Sequence, residues 1–342
     1  MVRSIVGNTF DCKDKKELEI KKPFSHAGIM PNYQCTAACR HCLYACSPSF
    51  GSGYMAESII DEVLGLLREG GCRSVHIGGG EPFLDFEGLL TLLDKARKFG
   101  VMVDYIETNG YWATNEENIA KRLRALKKAG GNALCISVDP FHSEYVPYAY
   151  PILLAKVCHR EGFGYFLWQE RFLRMLQKTN PNIAHDRKAL EKSISEDYII
   201  NTATAYGIRI GGRAVQIEME YKSREPLESL LQDKPCIELV STGHFHVDMY
   251  NQFIPPGCTG LLLPMAEVVN GIEPGKYPVY ESLYRGGVRS LYLLSLDYGF
   301  VANEEGYTSS CTLCFFIRKF LSEKGIFAEL CTRHYVEAMK YY

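Results

Sequence analysis

Cys35-Thr36-Ala37-Ala38-Cys39-Arg40-His41-Cys42-Leu43-Tyr44-Ala45-Cys46 places four thiols in twelve residues, and the reading of the chain depends on what three of them bind. Cys35, Cys39 and Cys42 follow a C-x3-C-x2-C spacing on what reads as a single loop. Three thiolates so spaced can hold three corners of a cubane iron-sulfur cluster and leave the fourth iron open to another ligand. A tetrahedral all-thiolate zinc site is the competing reading, and it would be inert because no coordination position stays free. Unligated thiols are the third. Spacing alone leaves all three open.

Composition narrows the setting. The chain of 342 residues is 46% hydrophobic and 23% charged, enough for one large domain and a smaller one. A formal net charge of -2 gives no electrostatic footprint for nucleic acid or an anionic membrane. The one basic run, Lys121-Arg122-Leu123-Arg124-Ala125-Leu126-Lys127-Lys128, alternates with apolar residues at helical spacing and reads as a solvated helix face. No apolar run reaches the ~18 residues of a membrane span. Asn8, Asp11, Lys13 and Asp14 interrupt any signal-like core, so a cytoplasmic location is expected. Thirteen cysteines in a reducing compartment point to metal or redox chemistry rather than to a disulfide framework.

Working outward from the cysteine loop, residues 1–27 read as an N-terminal arm, and Ile29-Met30 as the end of a first strand. The chain then alternates amphipathic helices with short apolar strands. Helices are expected at 56–70, 86–99, 115–129, 152–160 and 188–206, and strands at 74–77, 101–106, 133–138, 164–168 and 208–210. Such alternation builds a parallel sheet whose strand C-termini open on one face, where α/β barrels place their active sites. Gly78-Gly79-Gly80-Glu81-Pro82, Glu107-Thr108-Asn109-Gly110, Ser137-Val138-Asp139 and Gly211-Gly212-Arg213 all fall there. After about Arg224 the pattern breaks. Residues 244–249 and 253–255 read as a hairpin around Tyr250-Asn251-Gln252, and residues 312–342 as helical.

With these motifs at strand ends, residues 28–215 resemble the radical S-adenosylmethionine (SAM) enzymes. The resemblance implies a 4Fe-4S cluster on Cys35, Cys39 and Cys42 whose open iron binds SAM. Reductive cleavage of SAM would then give a 5′-deoxyadenosyl radical that abstracts hydrogen from substrate. Gly79, Gly80 and Glu81 match the segment that binds the SAM amino group, where bare backbone can approach closely and a carboxylate can balance an ammonium. Ser137 matches a polar residue contacting ribose or carboxylate, with Asp139 beside it; Asp139 alternatively shapes the turn before Pro140. Asn109 is a further cofactor candidate. The family often has an aromatic directly after the third cysteine, whereas here Leu43 takes that place and Tyr44 is the nearest adenine contact. Arg160 receives no role. Cys46 must not be a ligand, because a fourth thiolate would close the open iron.

Cys236, Cys258, Cys311 and Cys314 resemble the auxiliary-cluster region of the SPASM and twitch branches, with Gly212-Arg213-Ala214 matching a segment that precedes it. They imply a second 4Fe-4S cluster; zinc is the alternative, and Cys331 could replace one ligand. His41 and Arg40 could hydrogen-bond cluster sulfurs. His142 is the candidate catalytic residue or proton relay in the barrel mouth, and no ligand role is expected of His244 and His246. Cys12, Cys72, Cys135 and Cys158 read as free cysteines.

The expected fold is therefore α/β, a partial (β/α)6 TIM-like barrel at 28–224 followed by a small α+β twitch/SPASM-like domain at 225–342. The expected activity is a radical SAM oxidoreductase acting on an unactivated C–H bond of a peptide, for crosslinking or epimerisation, or alternatively of a small molecule. Its electron donor would be a flavodoxin or ferredoxin. An activase that installs a glycyl radical, and a non-catalytic ferredoxin-like or zinc-binding module, are the competing readings.

Overall fold

The computed structural model describes residues 18–232 and 234–341. Most of the expected N-terminal arm, residues 1–17 with Cys12, lies outside the described residues. The first strand, β1 (Ala27–Met30), is followed by the cysteine loop, α1 (Glu57–Glu69), β2 (Ser74–Ile77), α2 (Phe86–Lys98), β3 (Met102–Thr108), α3 (Glu116–Ala129) and β4 (Ala133–Ser137). One helical turn, α4 (Pro140–Ser143), then precedes α5 (Ala149–Glu161) and β5 (Gly164–Trp168).

Local chemistry fixes these boundaries. Ile60, Val63, Leu64 and Leu67 bury one stripe of α1, and hydrophobic burial of that stripe is what holds a short helix in place. Asp85 caps α2 by accepting from Gly88 N, and Asn115 caps α3 by accepting from Asn118 N. Gly130 ends α3 in the left-handed conformation at φ 110°, which spares a Cβ the steric penalty.

Strands β1 to β5 pair in parallel in the order β5-β4-β3-β2-β1. The sixth parallel strand is not the expected 208–210 segment, which is irregular. It is β6 (Phe245–Asp248), which pairs with the other side of β1. The 208–210 segment leads instead into the Gly211-Gly212 turn, where Arg213 N donates to Cys42 O of the cysteine loop. The helix expected at 188–206 is two, α7 (Arg187–Ser193) and α8 (Tyr198–Tyr206), preceded by the turn α6 (Leu173–Leu176).

The rest of the chain continues through α9 (Ala214–Tyr221), α10 (Leu227–Leu230) and β6 to β7 (Gln252–Ile254) and β8 (Leu263–Pro264). Both pairings there are antiparallel, so the expected hairpin is present and extends the sheet to eight strands. α11 (Met265–Asn270), α12 (Pro278–Leu296), α13 (Ser310–Ser322) and α14 (Thr332–Met339) complete the chain, with α12 kinked at Gly286-Gly287. One apolar core runs beneath the whole sheet, from Ile29, Val75 and Ile136 to Phe245, Phe253 and Leu313. Period-2 alternation turns the remaining side chains of these strands, including His76, Tyr105, Ser137 and His246, to the opposite face. No helix among the described residues is long and apolar enough to cross a membrane.

Candidate active site

The cysteine loop leaves β1 at the C-terminal end of the sheet, and side chains from four other segments, Asn109, Tyr145, Arg213 and Thr259, hold it. Cys35 N donates to Ser47 O and closes the loop at its base. Arg213, fully buried, donates from Nε to Cys39 O at 2.9 Å and from Nη2 to Cys46 O at 2.6 Å. Tyr145 Oη donates to Ala38 O, and Thr259 Oγ1 to Leu43 O. Asn109 Nδ2 donates to Thr36 Oγ1 at 3.0 Å and lies 3.7 Å from Cys35 Sγ. A loop without regular structure has no other way to satisfy its buried carbonyls.

The glycines of the second motif make room for this loop. A Cβ on Gly80 would lie 2.0 Å from Gln34 O, and one on Gly79 would lie 2.7 Å from Asn32 O at a φ of +107°. Gly80 N and Glu81 N donate to those same two carbonyls. Glu81 is buried, and its carboxylate accepts from Thr108 Oγ1, Asn109 N and Phe83 N. Burial pushes its pKa up to about 7 although those donors act the other way. In this structure Glu81 therefore ties the ends of β2 and β3 together. Beside it, Asn32 Nδ2 donates to Glu81 O, while Asn32 Oδ1 is buried without a partner.

Asp139 caps the one-turn helix α4, accepting from His142 N at 3.0 Å and from His142 Nδ1 at 2.7 Å. This is the turn-shaping role. Burial would raise its carboxyl, but the His142 charge and hydrogen bonds hold it at about 2. Burial likewise opposes a charged His142, and Asp139 and the Cys39 thiol nevertheless keep its pKa well above the ordinary value. The candidate catalytic histidine thus sits against a cysteine of the loop. Ser137 ends β4 next to Trp168. Tyr44 turns toward β6 instead, its Oη 2.8 Å from His246 Nδ1. His41 is wedged between Phe141 and Tyr206, with Nδ1 buried and unpartnered, and Arg40 pairs with Glu144 at 2.9 Å.

Cys35, Cys39 and Cys42 are close enough to influence one another electrostatically, and burial raises the first two. Cys42 is shifted the other way, chiefly because the Cys46 thiol hydrogen-bonds to it. Among the described residues no three thiol sulfurs lie within 4.8 Å of one another. Thiolates on one tetrahedral zinc stand about 3.8 Å apart. The thiols are thus not gathered as tightly as a mononuclear zinc would hold them. The buried cation of Arg213 behind the loop and the unpartnered acceptor Asn32 Oδ1 suit an anionic cluster and an ammonium donor. The donor set fits an iron-sulfur cluster with SAM.

The C-terminal cysteines also converge. Cys311 and Cys314 lie on the first turn of α13, three residues apart and so on one face. Burial pushes the Cys236 thiol up to about 12, with Cys314, Cys258 and Cys311 adding to the shift. Burial and its thiol neighbours raise Cys258 to about 11 against the pull of Arg318. Arg318, one turn beyond Cys314, is buried; it donates to Thr259 O at 2.7 Å and to the Cys314 thiol. Cys331 is elsewhere, beside Asp248 and Tyr33. Cys72, Cys135 and Cys158 are buried and free. Arg213 and Arg318 were not marked as site residues by the sequence; their only signals are the Gly211-Gly212 pair before one and the i+4 spacing of the other from Cys314.

Residues 29–177 match the family model of the Radical SAM superfamily, so that stretch is a radical SAM domain. Domains of that superfamily bind a 4Fe-4S cluster and SAM. The chain is 26% identical over 113 residues to YydG of Bacillus subtilis (strain 168), a protein provisionally named for peptide biosynthesis. The match covers 33% of this chain, which spans about a third of that relative's length (35%). Among solved structures, BtrN in complex with AdoMet and 2-DOIA is similar at 13% identity and a TM-score of 0.44, over 78% of this chain and 89% of that one. SuiB of Streptococcus suis bound to S-adenosylmethionine is similar at 14% identity and a TM-score of 0.39, over 85% and 77%.

Proposed function

We propose that this radical SAM enzyme abstracts hydrogen from an unactivated C–H bond of a peptide, in the crosslinking or epimerisation of a ribosomally made precursor. The observation that carries the reading is the joint placement of Cys35, Cys39 and Cys42, the Gly79-Gly80-Glu81 segment and the Asn109 amide at the C-terminal ends of neighbouring strands. When bound, the cluster and SAM supply reductive cleavage and a radical that removes a hydrogen atom from substrate.

This chain's residues do the positioning. Cys35, Cys39 and Cys42 would hold the three irons, and Arg213 would neutralise part of their charge from behind the loop. Asn109 would donate to the sulfur of Cys35, and His142 to that of Cys39. Asn32 Oδ1 and the glycine backbone would receive the SAM amino group; Ser137 and Tyr44 line the same face. Cys236, Cys258, Cys311 and Cys314 would hold the auxiliary 4Fe-4S cluster, with Arg318 as their cation. A flavodoxin or ferredoxin would deliver the electron. The division into a barrel at 28–224 and an auxiliary domain at 225–342 belongs to this reading, although β6 shares the barrel sheet.

Two features support a peptide over a small molecule. The name of the relative YydG points to peptide biosynthesis. In addition, β5 is an edge strand with Tyr165, Phe166 and Trp168 exposed, a form to which an extended chain can add. The test is anaerobic reconstitution with iron and sulfide, then dithionite, SAM and a peptide digest of fully deuterated bacterial protein. Deuterium appearing in 5′-deoxyadenosine is expected. Label only from a deuterated small-molecule extract would overturn the peptide reading, and no SAM cleavage at all would overturn the enzyme.

A further inference from the structure

The face of the sheet that carries the cysteine loop at one end carries a group of histidines at the other. His26 precedes β1, His76 lies in β2, and His244 precedes β6, so three strands that are distant in sequence deliver one imidazole each. One ring nitrogen from each falls within 4.8 Å of the other two. The ring centroids are 5.2, 5.4 and 5.0 Å apart, and the ring planes lie within 13° of one another. Three imidazoles bound to one ion at a metal–nitrogen distance of about 2.0–2.1 Å would have centroids about 5.1–5.5 Å apart.

The surroundings are arranged for these rings. A Cβ on Gly28 would lie 2.6 Å from His76 Cε1 and 2.3 Å from His246 Cδ2, so the space exists only because residue 28 has no side chain. His26 Nε2 faces His76 Nδ1 at 3.0 Å, and each ring's other nitrogen is engaged on the far side. His26 Nδ1 is 3.3 Å from Ser74 Oγ and 3.4 Å from the Asp104 carboxylate. His76 Nε2 is 3.2 Å from His246 Nε2, and His246 Nδ1 is 2.8 Å from Tyr44 Oη. A metal-ligating histidine characteristically donates its second ring N–H to a carboxylate, carbonyl or other acceptor, which fixes its tautomer. His26 and His76 both have that partner.

We propose that His26, His76 and His244 form a binding site for a divalent transition-metal ion, Zn2+ in the first instance, separate from both cysteine sets. An all-imidazole set suits zinc, copper or nickel, and poorly suits the hard cations that prefer oxygen. Three ligands leave a position that water can fill, and the exposed His244 gives the ion a path from solvent. Because His244 belongs to the C-terminal segment and His26 and His76 to the barrel, the ion would clamp β6 against β1 and β2. The sequence carries no sign of this, since its three histidines follow no ligand spacing.

The test uses the full chain with its clusters reconstituted, so that the cysteines are filled, and Zn2+ as the probe. The wild type and a His26→Gln, His244→Gln variant are dialysed against Zn2+, and bound zinc, iron content and thermal midpoint are measured. Neither replaced residue is fully buried, and unchanged iron content shows that the variant is folded. The wild type is expected to hold about one zinc and to melt higher with it, with at least about tenfold weaker binding in the variant. Zinc-edge absorption should show nitrogen and oxygen scatterers only. Equal zinc in both proteins, no tight zinc in the wild type, or sulfur in the first shell would each overturn the proposal.

Discussion

Arg213 Nη2 lies 2.6 Å from the backbone carbonyl of Cys46, the last residue of the cysteine loop, while its Nε holds the carbonyl of Cys39 from the same side. A side chain some 170 residues away in sequence thus sets the conformation of the loop. Replacing it by methionine leaves the Cys46 carbonyl without a donor and the Cys39 carbonyl with only Cys42 N, at roughly 1.5–3 kcal/mol for each charged hydrogen bond lost. Arg213→Met should therefore lose the loop-bound iron and unfold at markedly lower denaturant. Lysine cannot span both carbonyls and should rescue only part. Full iron content in Arg213→Met, measured after anaerobic reconstitution, would show that the loop holds itself.

Cys46 hydrogen-bonds to Cys42, so it should act as a neighbour of the cluster and not as a ligand. Cys46→Ser is expected to retain about eight irons per chain and SAM cleavage, whereas Cys35→Ala should drop to about four and lose cleavage. Cys311→Ala with Cys314→Ala should also fall to about four. Iron assay with electron paramagnetic resonance of the reduced proteins separates these outcomes. Loss of the SAM-binding signal in Cys46→Ser would refute its assigned place.

Gly80 is the least replaceable glycine of the second motif, because its Cβ would sit 2.0 Å from a main-chain oxygen that cannot move without the cysteine loop. Gly80→Ala should cost several kcal/mol of overpacking strain on the scale of about 1–3 or more. It should impair SAM binding more than Gly51→Ala, where a Cβ meets nothing within 4 Å and the backbone is not left-handed. Equilibrium dialysis with labelled SAM provides the comparison, and equal affinity in the two variants would contradict it.

His334 is buried against Thr259, and burial, aided by Arg318, lowers its pKa to about 3. The unfolded chain takes up this proton near pH 6.5 and the folded chain only near 3, so the unfolded state binds more protons between those values. Its contribution to stability is fully present above about pH 6.5 and is lost as pH falls toward 3. Glu81, raised to about 7, acts in the opposite sense, with stability falling as pH rises from about 4.5 to 7. His334→Gln keeps a partner for Thr259 and should flatten the acid limb of the thermal midpoint between pH 6.5 and 4.5. An unchanged limb would assign that loss to other groups.

Much of the barrel was legible in the chain. Four of its helices and strands β1 to β5 announce themselves by periodicity, because burying one helix stripe or one strand face dictates spacing locally. The failures lie where a partner is remote. Residues 208–210 are apolar enough for a strand, yet the turn at Gly211-Gly212 is used to bring Arg213 N to Cys42 O. The strand that takes the sixth place, Phe245–Asp248, pairs with β1 across more than 200 residues, a choice that no local pattern encodes.

For the site the division is the same. Local sequence is enough to mark Cys35, Cys39 and Cys42 as a candidate ligand set, since C-x3-C-x2-C spacing puts them within reach of one metal centre, and the motifs at the strand ends favour a cluster over zinc. It also placed the glycines and Glu81 at strand ends, because strand and loop lengths are local properties. Only the tertiary structure decided that Arg213 and Arg318 back the two cysteine sets, that Asp139 caps a turn and that Tyr44 faces His246. It alone brought His26, His76 and His244 together. Those are contacts between groups far apart along the chain, and they form only when burial of the common core brings their strands side by side.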